Sequence, residues 1–493
     1  MEALDWLVIG VFFLALIGII VWVVRQKQND SADYFLGGRD ATWLAIGASI
    51  FASNIGSEHL IGLAGAGASS GMAMAHWEIQ GWMILILGWV FVPFYTRSMV
   101  YTMPEFLERR YNPQSRTILS VISLVSYVLT KVAVTVYAGG LVFQQVFGIK
   151  ELWGIDFFWI AAIGLVVLTA LYTIFGGMKS VLYTSVLQTP ILLLGSLIIL
   201  VLGFKELGGW DEMMRVCGAV TVNDYGDTMT NLIRSNDDAN FPWLGALIGS
   251  AIIGFWYWCT DQFIVQRVLS GKNEMEARRG TIFGAYLKLL PVFLFLIPGM
   301  IAFALHQKYI GAGGEGFLPM LANGTANADA AFPTLVAKLL PAGVKGLVVC
   351  GILAALMSSL ASLFNSSAML FTIDFYKRFR PETPEKKLVG IGQVATVVIV
   401  ILGILWIPIM RSVGDVLYTY LQDVQSVLAP GIAAAFLLGI CWKRTSAQGG
   451  MWGLIAGMVI GLTRLGAKVY YSNAGEVADS TFKYLFYDMN WLF

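Results

Sequence analysis

The stretch GASIFASNIGSEHLIGLAG, residues 47–65, lies in a long apolar run but carries an asparagine, a glycine–serine pair and an acid next to a histidine. An apolar run of about 20 residues is long enough to cross a bilayer as one α-helix. Polar residues and glycine at its centre predict instead a helix that is interrupted inside the membrane. Glu58 and His59 lie at this interruption, where an ionised side chain costs at least ~2.5–3.5 kcal/mol and usually serves a function.

The composition extends this interpretation to the whole chain of 493 residues. Its hydrophobic fraction is 57% and its charged fraction is 13%, whereas soluble domains are about 25% charged. These values exclude a disordered chain, a fibrous chain and an ordinary soluble enzyme. The net charge of +1 gives no reason to expect nucleic acid as a partner. The spacing of the four cysteines and three histidines fits neither a disulfide framework nor a zinc site.

Twelve apolar runs predict twelve membrane spans. The first continues to Val24 and then meets Arg25 and Lys27, so it is expected to be a true span and not a cleavable signal peptide. A further run begins near Phe482 and holds the last residues of the sequence, from which we expect the C-terminal helices to be incomplete. The predicted spans are 5–24, 43–71, 74–96, 117–147, 156–175, 181–203, 243–265, 281–305, 342–372, 388–410, 417–441 and 448–470.

The loops between these spans indicate the orientation. With the N-terminus outside, the inner loops hold most of the basic residues, such as Arg109 and Arg110, whereas the longest outer loop, 204–242, is rich in acids. Basic residues concentrate on the cytoplasmic side of membrane proteins. The sequence therefore predicts a multi-pass protein of the plasma (inner) membrane with its N-terminus outside.

Spans 2–6 and 7–11 form two groups of five that begin on opposite sides of the membrane. Each group opens with an interrupted span, the second interruption being IGFWYWCTDQ, residues 253–262. This pattern predicts an inverted repeat with a central site at the two breaks, although a pair of kinked packing helices is an alternative. The predicted units are a leading helix with an inner loop (1–42), a first five-helix repeat (43–205), an extracellular loop (206–242), a second repeat (243–441) and C-terminal helices (442–493).

Six ionisable residues lie at predicted membrane depth. Around one cavity, with aromatic rings nearby, such side chains suit a neutral polyhydroxylated ligand, because each can hold one or two hydroxyls and a ring can stack on a sugar face. The alternative is a set of internal salt bridges that only hold helices together, and for two of the six, Lys131 and Asp261, both interpretations are equally open. The six are Glu58, His59, Glu78, Lys131, Asp261 and Lys288.

A second group of residues suggests a cation site. Ala355, Ser358 and Ser359 share one face of span 9 because their spacings are three and four. Ala52 and Ile55 flank the first break, where an unwound helix leaves carbonyl groups free. Three carbonyls and two hydroxyls suit a weakly held monovalent cation such as sodium, since magnesium and calcium prefer carboxylates. Close helix packing is the alternative, and the spacing alone favours it.

Four stretches resemble the sodium/glucose cotransporters of the solute:sodium symporter family. They are residues 47–65, WYWCTDQFIVQR at 256–267, SSLASLFNS at 358–366 and WKR at 442–444. The resemblance extends in matching order to about residue 465, and the segment around Glu58 also resembles the sodium/myo-inositol members. It implies an all-α membrane protein with a LeuT-like fold of five-plus-five inverted repeats and flanking helices.

The resemblance also implies which residues form the sites. Carried over position by position, it assigns hydrogen bonds with the sugar to Asn54, His59, Glu78, Lys288 and Gln422, and the inner gate to Tyr257 with Trp258 beside it. The outer hydrophobic gate corresponds to Leu63, Trp77 and Tyr418. The sodium ligands correspond to Ala52, Ile55, Ala355, Ser358 and Ser359.

The implied function is electrogenic, sodium-coupled symport of a hexose such as glucose or galactose by alternating access, with no enzyme activity. Sodium ion is the expected coupled ion, and a small sugar or polyol and the lipid bilayer are the expected partners; nothing indicates an oligomeric state. Gly254 replaces a polar residue of the family pattern, and Ser185 replaces an aspartate that serves a second sodium site or the coupling network in related members, so one sodium per substrate is predicted. A myo-inositol symporter and a sodium-independent facilitator are the alternatives.

Overall fold

The computed structural model describes residues 1–26, 28, 30–56, 58–321, 324–413, 417–473 and 480–489. Most of them lie in helices, as predicted, and the two short strands Glu151–Leu152 and Ile155–Asp156 form one antiparallel hairpin.

The α-helices are Ala3–Val24, Ser31–Leu36, Trp43–Asn54, Ala64–Ser69, His76–Ile79, Met83–Ile86, Val92–Ser98, Met103–Arg110, Pro113–Ser126, Ala133–Phe147, Phe157–Leu207, Trp210–Gly218, Trp243–Phe255, Gln262–Leu269, Glu274–Leu287, Ile297–Gly311, Ala331–Leu339, Val344–Met369, Lys377–Phe379, Glu385–Val413, Leu417–Cys441, Ala447–Asn473 and Thr481–Lys483. Tighter 3₁₀ turns occupy Gly37–Arg39, Gly71–Ala75, Gln80–Trp82 and Ala328–Ala330. Wider π turns occupy Glu58–Leu63, Leu87–Phe91, Tyr127–Val132, Trp256–Thr260, Val292–Leu296, Leu370–Tyr376 and Tyr484–Asp488.

Eight helical segments among the described residues are long and apolar enough to cross a membrane. One of them, Phe157–Leu207, covers the two predicted spans 156–175 and 181–203 in 51 residues. The helix is kinked at Gly177, whose φ of 53° and ψ of −148° are not helical. A side chain there would collide with the carbonyl oxygen of Tyr34, so glycine suits both the conformation and the close approach. The two predicted spans are thus joined by a kink and not by a loop.

Both predicted interruptions are confirmed. The helix Trp43–Asn54 ends at an extended Ile55 (φ −77°, ψ 103°), and a π turn, Glu58–Leu63, follows. In the second group, Trp243–Phe255 passes into the π turn Trp256–Thr260, and Asp261 (φ −73°, ψ 126°) then breaks the helix. Each break removes regular i to i−4 hydrogen bonds and leaves backbone polar groups available inside the protein.

The packing of neighbouring helices places Lys288 beside the first break. Val344–Met369 packs against both Phe157–Leu207 and Trp43–Asn54, and Trp43–Asn54 packs in turn against Glu274–Leu287. At the last of these contacts Gly280 has no side chain, and a Cβ there would lie 2.8 Å from the carbonyl oxygen of Trp43. Small residues let membrane helices approach this closely. Lys288, directly after Glu274–Leu287, consequently lies beside the first break.

The outer surface of the helices is apolar, as a bilayer requires. The first helix, Ala3–Val24, exposes large hydrophobic side chains such as Leu7, Leu14 and Ile17. The segment after Trp210–Gly218 folds back over the helices, and the amide of Met72 donates to the carbonyl of Met229 over 2.8 Å. The predicted boundaries of the two repeats remain a prediction.

Candidate substrate and sodium sites

Four polar side chains from three separate parts of the chain meet at the first break. The Lys288 ammonium lies 2.6 Å from Oε2 of Glu78, 2.8 Å from Nε2 of His59 and 2.5 Å from Oδ1 of Asn54. Nε2 of His59 is also 3.2 Å from Oε1 of Glu78. Lys288 and Glu78 are only 3% and 4% exposed. A buried charge is tolerated when it is paired and hydrogen-bonded. In this network the ammonium of Lys288 and the carboxylate of Glu78 compensate each other.

The two aromatic residues of the second break adjoin this network. Nδ2 of Asn54 donates to the hydroxyl of Tyr257 over 3.0 Å, which connects the two breaks directly. The rings of Tyr257 and Trp258 meet edge to face with centroids 4.9 Å apart. The Lys288 ammonium lies 5.6 Å from the centre of the Trp258 ring, within the range of a cation–π contact.

A cavity of about 40 Å³ lies among these side chains. It has room for a few waters, so a ligand of a dozen heavy atoms requires the surrounding side chains to move. Six of the seven substrate residues that the sequence predicts line this cavity, and the side chain of the seventh, Gln422, lies outside the described part of the chain. The lining residues are Asn54, Glu58, His59, Trp77, Glu78, Gln80, Ile253, Gly254, Tyr257, Trp258, Lys288 and Gln425.

Two amide side chains that line the cavity, Gln425 and Gln80, were not predicted from the sequence. Gln425 lies three residues after Gln422 and therefore on the same helical face, a spacing that could have revealed it. Gln80 lies only two residues after Glu78, and that spacing does not share a face of a regular helix. Only the structure places Gln80 beside Gly254.

Of the three predicted outer-gate residues, one lines the cavity in the described part of the chain. Trp77 lines the cavity and is 3% exposed. Leu63 is buried in the hydrophobic core and does not reach the cavity. The side chain of Tyr418 lies outside the described residues.

The predicted sodium ligands lie where the first break meets Val344–Met369. The hydroxyl of Ser359 donates to the carbonyl of Ser53 over 2.7 Å and is 3.4 Å from the carbonyl of Ile55. The hydroxyl of Ser358 instead lies 3.2 Å from that of Ser185.

The chemistry of this group fits a monovalent cation. Ala52 and Ala355, which would offer carbonyl oxygens, are both 1% exposed and lie on the facing helices. Among the described residues, no group of His, Cys, Asp or Glu side chains is arranged to hold a metal ion. The candidate ligands here are neutral carbonyl and hydroxyl oxygens at a helix break, and such ligands suit sodium better than a divalent ion.

Lys131 and Asp261 pair with each other and not with the network of Lys288. The Lys131 ammonium is 2.6 Å from Oδ2 of Asp261, and the hydroxyl of Tyr127 donates to Oδ1. The ammonium also lies 4.6 Å from the centre of the Tyr257 ring and 4.9 Å from that of Phe263. The interpretation as an internal salt bridge is therefore the one that the geometry supports, and the pair lies directly against the predicted inner-gate tyrosine.

A buried guanidinium lies next to the sodium ligands. Arg267 is 1% exposed, and its Nη2 donates to the hydroxyl of Ser53 over 2.7 Å. Its Nε lies 3.2 Å from the hydroxyl of Ser49, which is 3.4 Å from that of Ser185. Within the described part of the chain, Arg267 forms no ion pair with a carboxylate. A fixed positive charge thus occupies the serine cluster in which the resemblance would place an aspartate.

Known proteins match both the sequence and the fold. A model of the sodium:solute symporter family matches residues 34–457. The sodium/myo-inositol cotransporter 2 of Homo sapiens is 38% identical, with 94% of this chain aligned to 70% of that protein. The sodium/glucose cotransporter 2 of Rattus norvegicus is also 38% identical, with 99% of this chain aligned to 75% of it.

Two solved structures share the architecture. A sodium-coupled sialic acid symporter aligns with 94% of this chain and 98% of its own at a TM-score of 0.76 and 22% identity. MhsT, solved in complex with L-phenylalanine, aligns with 88% of this chain and 98% of its own at a TM-score of 0.55 and 12% identity. At these identities the likeness concerns the fold, which is LeuT-like. With a family match over most of its length and relatives at 38% identity, the chain belongs to the sodium:solute symporter family.

Proposed function

We propose that the chain is a sodium-coupled symporter of a neutral hexose such as glucose or galactose. The observation that carries this proposal is the buried network of Lys288, Glu78, His59 and Asn54 beside the rings of Tyr257 and Trp258. An ammonium donates, a carboxylate accepts, and an amide and an imidazole do both, so together they can satisfy several hydroxyls of one ligand. The indole and phenol rings offer apolar surface for a sugar ring.

The coupling of the two ligands follows from the first break. Asn54 belongs to the substrate network and the neighbouring Ile55 to the sodium ligands, while Ser359 bonds to the carbonyl of Ser53. Sodium bound here would hold the interrupted helix against Val344–Met369. That contact would fix Asn54, and with it the position of Lys288, before the substrate binds. Sodium thus raises substrate affinity, and by linkage the substrate raises sodium affinity equally.

Release to the inside requires movement at the second break. Tyr257 separates the cavity from the Lys131–Asp261 pair. We assign Tyr257 as the inner gate, and Trp77 with Leu63 and Tyr418 as the outer gate. Alternating access would then be a rocking of residues 43–205 against residues 243–441, a mechanism typical of inverted-repeat transporters.

One sodium per substrate is part of the proposal. A second sodium near Ser185 would lie close to the Arg267 guanidinium, which already donates to Ser53. The first sodium would lie near the same guanidinium, but five oxygen ligands are proposed for it, whereas the second would lack the aspartate of the family pattern. Since Ser185 supplies no negative charge in compensation, a second sodium is disfavoured.

Myo-inositol is the second candidate substrate. It is a neutral polyol with hydroxyl groups like those of a hexose, and relatives at 38% identity include sodium/myo-inositol cotransporters.

We also propose that the protein is inserted in the plasma (inner) membrane with its N-terminus outside. The concentration of basic residues in the predicted inner loops supports this orientation.

The test is uptake into proteoliposomes. Purified protein is reconstituted, and labelled galactose, glucose and myo-inositol are offered under an inward sodium gradient with an inside-negative potential, or under a matched potassium gradient. Accumulation above equilibrium in sodium alone is expected for one of the hexoses. Accumulation of myo-inositol alone would select the second candidate, and equal uptake in sodium and potassium would show a facilitator instead.

A further inference from the structure

Gln80 extends a carboxamide into the cavity between the two breaks. It begins the 3₁₀ turn Gln80–Trp82, directly after the segment that carries Glu78, and it lines the cavity together with Lys288 and Tyr257. Its Oε1 atom is buried and has no hydrogen-bond partner among the described residues. A buried acceptor without a partner is unfavourable, and such groups in native structures call for an explanation.

Gly254 makes room for this side chain. A Cβ at position 254 would lie 2.5 Å from Oε1 of Gln80 and 3.3 Å from Cγ of Met83. Any residue larger than glycine would therefore push the carboxamide out of its present position. Gly254 lies one helical turn before Tyr257. The carboxamide of Gln80 therefore forms part of the cavity wall near the ring of Tyr257.

Four other polar side chains of the cavity contact one another. Lys288 contacts Glu78, His59 and Asn54, and Asn54 also donates to Tyr257. The amide oxygen of Gln80 is buried without such a contact. Nδ1 of His59 is also without a partner among the described residues, but that ring already contacts Lys288 and Glu78 through Nε2. It can accept one hydrogen bond from a ligand hydroxyl, and the amide nitrogen can donate to another.

We propose that Gln80 is a specificity-determining residue that binds one hydroxyl of the transported solute, with Gly254 as the space that admits it. This inference rests on the proposed function and adds to it a residue that selects among polyols by their hydroxyl pattern. A site built to hydrogen-bond a hydroxyl rejects analogues that lack it, because its polar group is then left unpaired.

The experiment compares full-length wild-type protein with Gln80→Met in proteoliposomes at saturating sodium. Methionine keeps the length of the side chain and removes the amide. The apparent KM is measured for the solute that wild-type protein accumulates and for each of its monodeoxy analogues. We expect Gln80→Met to raise the KM for the parent solute about 5- to 10-fold, the effect of one neutral hydrogen bond. For one deoxy analogue, the two proteins are expected to have the same KM.

Gln393→Met is the matched control. Gln393 is also a partly buried amide, but its Nε2 donates to the carbonyl of Ile174 over 3.1 Å, away from the cavity. Its substitution is expected to leave the KM of every analogue unchanged. Gly254→Ala gives a second test should Gln80→Met fold poorly. Its methyl group displaces the carboxamide, so the KM should rise for the parent solute and not for the same deoxy analogue.

Three outcomes would overturn the inference. An unchanged KM in both Gln80→Met and Gly254→Ala would show that the amide does not contact the solute. An equal loss for the parent and for all deoxy analogues would show a structural role only. Absence of sodium-dependent uptake by wild-type protein for every hexose and for myo-inositol would overturn the proposed function, and this inference with it.

Discussion

Lys288 shows how much of the candidate site depends on one residue. Its ammonium contacts Glu78, His59 and Asn54. The residues themselves could be found in the sequence, because charged and amide side chains inside apolar runs are rare and costly. Their pairing could not, since Lys288 and Asn54 are 234 positions apart and no spacing rule applies at that distance.

Lys288→Met is expected to destabilise the protein because it leaves the Glu78 carboxylate buried without its cation. Breaking a buried pair from one side typically costs about 3–5 kcal/mol. The double variant Glu78→Gln/Lys288→Met removes both charges and should recover most of this loss. Thermal unfolding in detergent measures the difference. Equal destabilisation of the single and double variants would mean that the two groups do not compensate each other.

Ser359→Ala is expected to weaken sodium binding and to leave the fold intact. The hydroxyl lies 3.4 Å from the carbonyl of Ile55 at the helix break, and the loss of one ion–oxygen contact worth about 1.5 kcal/mol lowers affinity about tenfold. The sodium dependence of substrate uptake measures the effect. Ser367→Ala is the control, because Ser367 is a fully buried serine of the same helix with no hydrogen-bond partner among the described residues. A wild-type sodium dependence in Ser359→Ala would remove this serine from the site.

At the scale of helices, the two interrupted spans were the most predictable feature. Glycine and polar residues inside an apolar run indicate a break, and both breaks occur where the sequence predicts them. The kink at Gly177 was not predicted, because its short polar surroundings resemble a loop between two spans. Gln80 was missed for a different reason. Its position in the cavity depends on the glycine opposite, which belongs to another helix.

The pair of Lys131 and Asp261 connects two helical segments that are 130 positions apart in the sequence, next to Tyr257. Lys131 lies in the π turn Tyr127–Val132, and Asp261 ends the second break and caps Gln262–Leu269 by accepting from the amide of Phe263 over 3.1 Å. Asp261 therefore has two roles, one as an ion-pair partner and one as a helix cap. Substitutions can separate them.

Asp261→Ala is expected to lower the stability more than Asp261→Asn. Asparagine retains an oxygen that can cap the helix, and the loss of a cap costs about 0.5–2 kcal/mol. Both variants leave Lys131 buried without its carboxylate, so Lys131→Met in combination with Asp261→Asn should restore stability. Thermal unfolding of the four proteins tests this. If Asp261→Ala and Asp261→Asn unfold alike, the cap contributes nothing at this break.

At the scale of the whole molecule, the fixed charge of Arg267 bears on the energy that transport can use. One sodium crossing 100 mV gains about 2.3 kcal/mol, and a tenfold sodium gradient adds about 1.4 kcal/mol. Their sum supports an accumulation of roughly a few hundred-fold, and a second sodium would square that limit. With a serine in place of an aspartate and a buried guanidinium beside it, the proposed single sodium would lower both the concentrating power and the cost in sodium.

The reversal potential of the transport current distinguishes the two ratios. With one sodium, and hence one charge, per solute, a tenfold change in the solute gradient shifts the reversal potential by about 59 mV, whereas two sodiums would halve the shift to about 30 mV. A tenfold change in the sodium gradient shifts it by about 59 mV in either case, which provides an internal control. We expect the larger shift for the solute, because the guanidinium of Arg267 donates to Ser53 in the same cluster that holds Ser185. A shift near 30 mV would show that a second sodium binds despite this charge, and that its compensating ligands lie elsewhere in the protein.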